Sequence, residues 1–285
     1  MDIRALRQTA MEQLEPIYGK KEAGSLIYIL LEWITGYSKA SLALNQDIEL
    51  GIAEANILME KIEELKLQRP VQYITGQAWF RGLEFKVNEH VLIPRPETEE
   101  LVNWLVRDHR ERPGLRVLDV GTGSGCIAVA LSKSLEEPFI MAVDNSPGAI
   151  ALAVRNAFMH GADVNFMLMD VLDPESHKGL GSFDVIVSNP PYVRQSEKNA
   201  MKPNVLDYEP HQALFVTDED PLIFYRSIVR IALANLNPGG TVYVEINEGL
   251  GEETTQVFIS AGFGQVELRK DIHGKNRMVR AIISK

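Results

Sequence analysis

One stretch constrains this chain more than any other. Val117-Leu118-Asp119-Val120-Gly121-Thr122-Gly123-Ser124-Gly125 is an apolar run that enters a turn with glycine at every second position and leads into a helical pattern. An apolar run of this kind reads as a strand buried on both faces. The glycines let the backbone turn sharply and approach a ligand closely at a helix N-terminus. The same alternation then continues. Strands are expected over 116–120, 139–144, 164–170, 183–188 and 241–246, and helices over 126–135, 147–160 and 221–236. Strands separated by helices imply a mostly parallel sheet with helices on both faces, a Rossmann-like α/β fold. The end departs from this pattern: runs over 266–270 and 278–284 follow one another without a helix between them, which predicts an antiparallel last strand closing the sheet.

The first 70 residues read differently. Ile3, Leu6, Ala10 and Leu14 fall at helical spacing, interrupted over 16–19, and a second apolar run over 26–34 ends at Gly36. Asn45 or Asp47 is a candidate cap for a longer helix with Ile48, Ile52, Ala55, Ile57, Ile62 and Leu65 on one stripe, which Pro70 stops. The segment carries eight basic and eleven acidic side chains. We therefore expect a mildly acidic, all-helical docking domain over 1–72. Ala78-Trp79-Phe80 and Leu83-Glu84-Phe85-Lys86-Val87 flank Arg81-Gly82, which predicts a β-hairpin in a linker over 73–96. The α/β domain is then 97–285.

Composition narrows the function. The 285 residues include 29 basic and 39 acidic side chains, a formal net charge of −10, which argues against a partner bound through its phosphate backbone. Cys126 is the only cysteine, so no internal disulfide forms, and no His or Cys spacing suits a metal. The first residues lack an apolar leader core, and the richest apolar stretch, 25–34, is short and interrupted by Glu32. A cytoplasmic chain with no membrane partner is expected.

The glycine loop indicates its ligand. A dinucleotide fingerprint would want glycine or alanine at 126, where Cys126 stands, and no Gly-Lys-Ser/Thr follows. Asp119 precedes the first glycine; it would repel a pyrophosphate but suits a ligand carrying an ammonium. Asp144 ends the next strand, where a carboxylate can accept both ribose hydroxyls, and Asp170 ends the one after, in reach of an adenine amino group. Three acids at three strand ends beside Gly121, Thr122, Gly123, Ser124 and Gly125 fit S-adenosylmethionine, with S-adenosylhomocysteine as product.

Ser188-Asn189-Pro190-Pro191-Tyr192 follows the fourth strand. Two prolines end a central strand and stiffen the loop. An amide or aromatic NH₂ group is a poor nucleophile because its lone pair is delocalised. The Asn189 side-chain oxygen and the Pro190 carbonyl can accept both of its N–H protons and hold the lone pair toward a sulfonium methyl. Tyr192 can pack on the flat face of the substrate group.

These motifs resemble class I S-adenosylmethionine-dependent methyltransferases that act on exocyclic or amide nitrogen. Along nearly its full length the chain is similar to the HemK/PrmC family of release factor glutamine N5-methyltransferases. Ile93-Pro94-Arg95-Pro96-Glu97-Thr98-Glu99 is the discriminating segment, since the ribosomal-protein glutamine methyltransferases usually carry Arg-Ser-Pro there. Tyr208-Glu209-Pro210, Ala213-Leu214 and 220–225 also look like family segments.

The resemblance implies that Gly121 to Gly125 wrap the cofactor, Asp144 binds its ribose, and Asn189, Pro190, Pro191 and Tyr192 bind a glutamine side chain. It further implies that the N-terminal lobe grips a class I release factor whose Gly-Gly-Gln tip enters the site. Two departures stand out. Val171 replaces the usual aromatic residue beside adenine, and Asn247 replaces the glycine of Glu-Ile-Gly, a change expected to leave the core motifs untouched. The alternatives are a ribosomal-protein glutamine methyltransferase, a DNA adenine-N6 or cytosine-N4 methyltransferase, and a silent cofactor-binding protein. Residues 71–285 carry 21 basic and 28 acidic side chains, which disfavours DNA. The intact Asn189 motif disfavours the silent protein.

Overall fold

The computed structural model describes residues 2–44 and 48–283. The candidate caps Asn45 and Asp47, and Ser284 at the end of the last expected strand, lie outside the described residues. The chain divides into two compact units, Met1–Gln77 with Lys202–Tyr208, and Ala78–Met201 with Glu209–Lys285.

The first unit is helical. Helix α1 (Ile3–Thr35) contains a break at Gly19, where φ 73° and ψ 160° leave helical geometry. Pro16 sits within the helix, so the interruption read from sequence belongs to Gly19. Gly36 caps the end at φ 70° and donates its N–H to Glu32 O at 2.8 Å. Helices α2 (Lys39–Leu44), α3 (Ile52–Lys66) and α4 (Val71–Thr75) follow. At the start of α3 the Gly51 N–H donates to Glu54 Oε2. The buried stripe of α3 is Ala55, Leu58, Ile62 and Leu65, whereas Ile52 and Ile57 are exposed. Ala55, Ile62 and Leu65 of the expected stripe are thus buried, Leu58 takes the place of Ile57, and α3 ends before Pro70, which instead precedes α4. Tyr18 and Tyr208 donate their hydroxyls to Leu65 O and Leu67 O, each at 2.7 Å.

The second unit opens with the hairpin of β1 (Gln77–Phe80) and β2 (Leu83–Lys86). Arg81 and Gly82 both have positive φ, 49° and 75°, the backbone that lets a two-residue turn follow the strand twist. Phe80 and Phe85 are fully buried in one core with Leu101, Trp104 and Val117. From Ala78 onward the hairpin is therefore built into the second unit, while 73–77 fall in the first.

Next come α5 (Pro96–Asp108), β3 (Arg116–Val120), α6 (Cys126–Ser134), β4 (Phe139–Asp144), α7 (Pro147–His160), β5 (Asn165–Leu168), β6 (Phe183–Ser188) and β7 (Val193–Arg194). Helix α8 (Pro203–Leu206) lies in the segment assigned to the first unit. The chain finishes with β8 (Phe215–Val216), α9 (Ile223–Asn235), β9 (Leu236–Glu245), α10 (Gly251–Ser260), β10 (Phe263–Lys270) and β11 (Asn276–Ile283). Helices α5 and α10 had no counterpart among the expected elements.

Seven strands form one sheet in the order β10-β11-β9-β6-β3-β4-β5. The four pairings that join the five strands from β9 to β5 are parallel, and β11 runs antiparallel to both β9 and β10. The last strand is antiparallel as expected, but it inserts between β9 and β10, so β10 takes the edge. Side chains alternate between two cores. Val117, Val185, Val187 and Tyr243 enter the core shared with α5 and α6, while Leu118, Ile186, Val242 and Val244 enter the core shared with α9 and α10. A sheet covered on both faces needs consecutive apolar residues, which Val117-Leu118, Val185-Ile186-Val187 and Val242-Tyr243-Val244 supply.

Candidate active site

Strand order reverses between β3 and β6, with β4 and β5 to one side and β9 to the other. Ligands of open α/β sheets bind at the carboxyl edge of such a switch point. The register explains what gathers there. Ser188 pairs with Val120 on one side and Val244 on the other. The next residues, Gly121, Asn189 and Glu245, therefore lie at one level of the carboxyl edge, Glu245 as the last residue of β9, still paired with Met278 of β11. Ser188 also donates its hydroxyl to Val120 O at 2.7 Å, which ties β6 to β3 below the loops.

Gly121, Gly123 and Gly125 have φ values of 74°, 54° and 80°, a region that L side chains rarely enter. The N–H groups of Gly121 and Thr122 donate to Val143 O, and that of Gly123 donates to Asp144 Oδ2 at 2.8 Å. Gly125 also meets α7, where an added Cβ would stand 3.1 Å from the Ala153 Cβ. Asn156 braces the loop from the same helix: its Nδ2 donates to Ser124 O and Lys86 O, and its Oδ1 accepts from the Lys86 N–H.

A cavity opens over this loop, walled by residues that include Gly121–Ser124, Asp144, Ile127, Met169, Val171, Asn189–Pro191, Phe224 and Ile228. Asp144 is half-buried, and its Oδ1 accepts the Ser146 N–H at 2.9 Å. Each oxygen spends one acceptor site on backbone, which leaves further acceptor capacity for two hydroxyls of a ribose. Burial pushes the Asp144 carboxyl upward against these donated hydrogen bonds.

Asp119 lies fully buried at the end of β3 and does not line the cavity. Its Oδ2 accepts the Thr122 hydroxyl at 2.6 Å, and its Oδ1 has no hydrogen-bond partner. Burial pushes its carboxyl up to about 7. Asp170 is exposed and also outside the wall; its Oδ1 accepts the Leu172 N–H in a local turn. Of the three acids read together from sequence, only Asp144 reaches the cavity. An apolar pair, Met169 and Val171, stands where the third acid was expected. The open glycine turn, the Asp144 acceptors and the apolar wall together fit an adenosine-containing cofactor with a cationic end.

The Asn-Pro-Pro-Tyr loop supplies the opposite wall. Asn189, Pro190 and Pro191 line the cavity, but Tyr192 does not. Its hydroxyl donates to Glu245 Oε1 at 2.8 Å, and burial raises its phenol well above the ordinary value. Tyr192 is thus an anchor of the loop in this structure, not a face of the cavity. Asn189 Nδ2 donates to Thr98 Oγ1 at 3.0 Å, and Thr98 donates to Glu245 Oε2 at 2.6 Å. Asn247 Nδ2 donates to Tyr192 O at 3.1 Å and to Glu197 Oε2 at 2.9 Å, so this departure does touch the motif loop.

Every polar side chain but one in the 95–99 segment has a partner. Glu209 accepts from the Arg95 guanidinium and from the Ile93 N–H, Pro96 starts α5, Thr98 joins Glu245, and Glu99 accepts the Arg81 N–H. Thr98 and Glu245 were not among the expected site residues. Both lay inside segments whose family likeness was visible, but only the fold places them against Asn189.

The chain is similar to known proteins over both of its units. The PrmC N-terminal domain family model matches residues 5–76, and the methyltransferase small domain model matches residues 98–207. The release factor glutamine methyltransferase of Flavobacterium psychrophilum is 42% identical over 283 residues, covering 98% of this chain and 99% of that protein. Its counterpart from Bacteroides thetaiotaomicron is 41% identical over 95% of this chain and 96% of its own. Among solved structures, a methyltransferase from Pyrococcus furiosus shares the fold with a TM-score of 0.52 at 19% identity, over 72% of this chain and 91% of that one. With both units matched and relatives aligned nearly end to end, the chain belongs to the release factor glutamine methyltransferase family.

Proposed function

We propose that this protein transfers a methyl group from S-adenosylmethionine to the side-chain amide nitrogen (N5) of the Gly-Gly-Gln glutamine of class I peptide chain release factors. The observation that carries the reading is the orientation of Asn189. Its Nδ2 is committed to Thr98, so its Oδ1 is left to accept from a substrate NH₂ group at the cavity wall formed with Pro190. The bound cofactor supplies an electrophilic methyl on a sulfonium.

The chain's own residues do the rest. Gly121 to Gly125 and Asp144 hold the cofactor, and Met169 and Val171 offer apolar contact to its purine. Asp119, behind the loop, accepts the Thr122 hydroxyl and so braces the turn that carries the cofactor. Asn189 Oδ1 and the Pro190 carbonyl accept the two amide protons, which keeps the nitrogen lone pair directed at the methyl and stabilises the positive charge that develops on nitrogen. The excess proton leaves to solvent after transfer. Tyr192 anchors the loop through Glu245. The helical unit recognises the release factor, no nucleic acid is engaged directly, and the protein works in the cytoplasm. Among the described residues no helix is long and apolar enough to cross a membrane.

The test offers isotopically labelled S-adenosylmethionine with three substrates: a class I release factor, the same factor with Gly-Gly-Gln changed to Gly-Gly-Ala, and duplex DNA. Label on the unaltered factor alone supports the reading. Label on the altered factor or on DNA contradicts it.

A further inference from the structure

We infer that Thr98 is a positioning residue for methyl transfer: backed by Glu245, it fixes the rotational sense of the Asn189 amide, so that the oxygen and not the NH₂ group faces the substrate. The inference rests on the amide-nitrogen reading above and adds to it two residues outside the Asn-Pro-Pro-Tyr loop.

An asparagine amide is nearly symmetric in shape, and packing alone does not distinguish its oxygen from its nitrogen. Only hydrogen-bond polarity does. A threonine hydroxyl has one proton. The Thr98 proton goes to Glu245 Oε2 at 2.6 Å, so Thr98 Oγ1 can only accept from Asn189, and the atom facing it must be the donor Nδ2.

The polarity is set from Glu245. This side chain is 1% exposed and Thr98, at the cavity wall, is 2% exposed, so both are largely shielded from water. A carboxylate only accepts, and both oxygens are used: Oε2 takes the Thr98 proton and Oε1 the Tyr192 proton. Burial raises the Glu245 carboxyl, while the two donated O–H bonds and the positive charge of Arg277 oppose that rise and favour the ionised, accepting form. The register supports the arrangement, because Glu245 and Asn189 each follow a paired residue of adjacent parallel strands, Val244 and Ser188. Thr98, near the start of α5, bridges them from above the sheet.

The consequence is specific. With Thr98 in place, Asn189 presents an acceptor to an incoming NH₂ group. Without the hydroxyl, the amide can rotate by half a turn and present its own NH₂, a donor facing a donor. Binding of the cofactor on the other wall does not depend on this choice.

The experiment compares full-length Thr98→Val and Thr98→Ser with the unaltered protein. Valine keeps the shape and removes the hydroxyl; serine keeps the hydroxyl. The expected result for valine is a fall in kcat of about tenfold to a hundredfold, the size expected when a buried donor and acceptor lose their partner. Affinity for S-adenosylhomocysteine should be unchanged, and serine should restore most of the rate. An equal loss in the serine and valine variants, or a parallel loss of S-adenosylhomocysteine affinity, would overturn the inference in favour of a packing role.

A second readout needs no protein substrate and no variant of Thr98. In protein labelled with ¹⁵N at asparagine side chains, the Asn189 signals are assigned by their loss in Asn189→Ala. The unaltered protein should show slowly exchanging Asn189 NH₂ protons with an Overhauser contact to the Thr98 methyl. Fast exchange without that contact would refute the orientation. If the unaltered protein transferred no methyl to the release factor, the functional reading would fail, and this second readout would still decide the orientation by itself.

Discussion

Asn189 and Thr98 stand 91 residues apart in the chain and 3.0 Å apart in the fold, with the Asn189 side-chain N–H donated to the Thr98 hydroxyl. That bond leaves the Asn189 oxygen as the acceptor at the cavity wall. Replacing Asn189 by alanine should abolish methyl transfer while S-adenosylhomocysteine affinity stays within about tenfold, because the lost interaction is made in the transition state and not with the cofactor. Calorimetric titration beside steady-state kinetics separates the two. An equal loss in both would assign Asn189 to the cofactor.

Asp144 sits on the other wall, bonded to the N–H groups of Gly123 and Ser146. Asp144→Ala should weaken S-adenosylhomocysteine binding by about 1–3 kcal/mol, the value of charge-assisted hydrogen bonds to a ligand. Unchanged affinity by calorimetry would remove Asp144 from the cofactor site.

How much of this was legible in advance follows from what each feature depends on. The glycine loop, the strands at 116–120, 139–144 and 183–188 and the helix at 147–160 are local patterns, and their bounds in the fold match their reading. Helix α10 was missed because its Gly251-Glu252-Glu253-Thr254-Thr255 start reads as polar loop, and only three of its ten residues are buried. Where β11 inserts is a non-local choice that no period-two pattern encodes. The site shows the same division. Asn189 to Pro191 and Asp144 face the cavity as read, since each follows directly from a strand end. Asp170 and Tyr192 do not, because a turn bond to Leu172 and a bond to Glu245 turn them to other partners. Thr98 and Glu245 escaped notice because their relation to Asn189 exists only across α5, β6 and β9.

Gly125 combines φ +80° with a close approach to Ala153. Gly125→Ala should lower stability by about 1–3 kcal/mol, from backbone strain and from the push on α7. Urea denaturation reads this directly. A loss of only a few tenths would mean that the loop relaxes freely.

Asp119 gives the stability a pH dependence. Its carboxyl is raised by burial from 3.8 to about 7, with the negative charge of Asp144 adding and the Thr122 bond opposing. Between those values the native state holds a proton that the unfolded chain has released. The stabilisation is therefore complete below about 3.8 and is lost as pH rises through about 7, at up to about 1.4 kcal/mol per pH unit. Asp119→Asn should flatten the decline in denaturation midpoint between about pH 4 and about pH 7. Asp144 and Glu245 are also raised by burial, so some slope should remain. An unaltered slope would assign the whole effect to those two.

Asn247 ties the carbonyl of Tyr192 to Glu197. Asn247→Gly should cost about 1 kcal/mol of stability, as for one net buried hydrogen bond, and leave S-adenosylhomocysteine affinity unchanged. An unchanged denaturation midpoint would show that the loop is held without it.

The most direct measurement asks which atom receives the methyl. A class I release factor carrying ¹⁵N in its glutamine side-chain amides is incubated with this protein and S-adenosylmethionine labelled with ¹³C at the methyl. The result expected is a methyl carbon coupled through one bond to ¹⁵N, mapped to the glutamine of the Gly-Gly-Gln tip and absent with Asn189→Ala. A transferred methyl without that coupling would place it on oxygen, carbon or another nitrogen and contradict an amide held by Asn189.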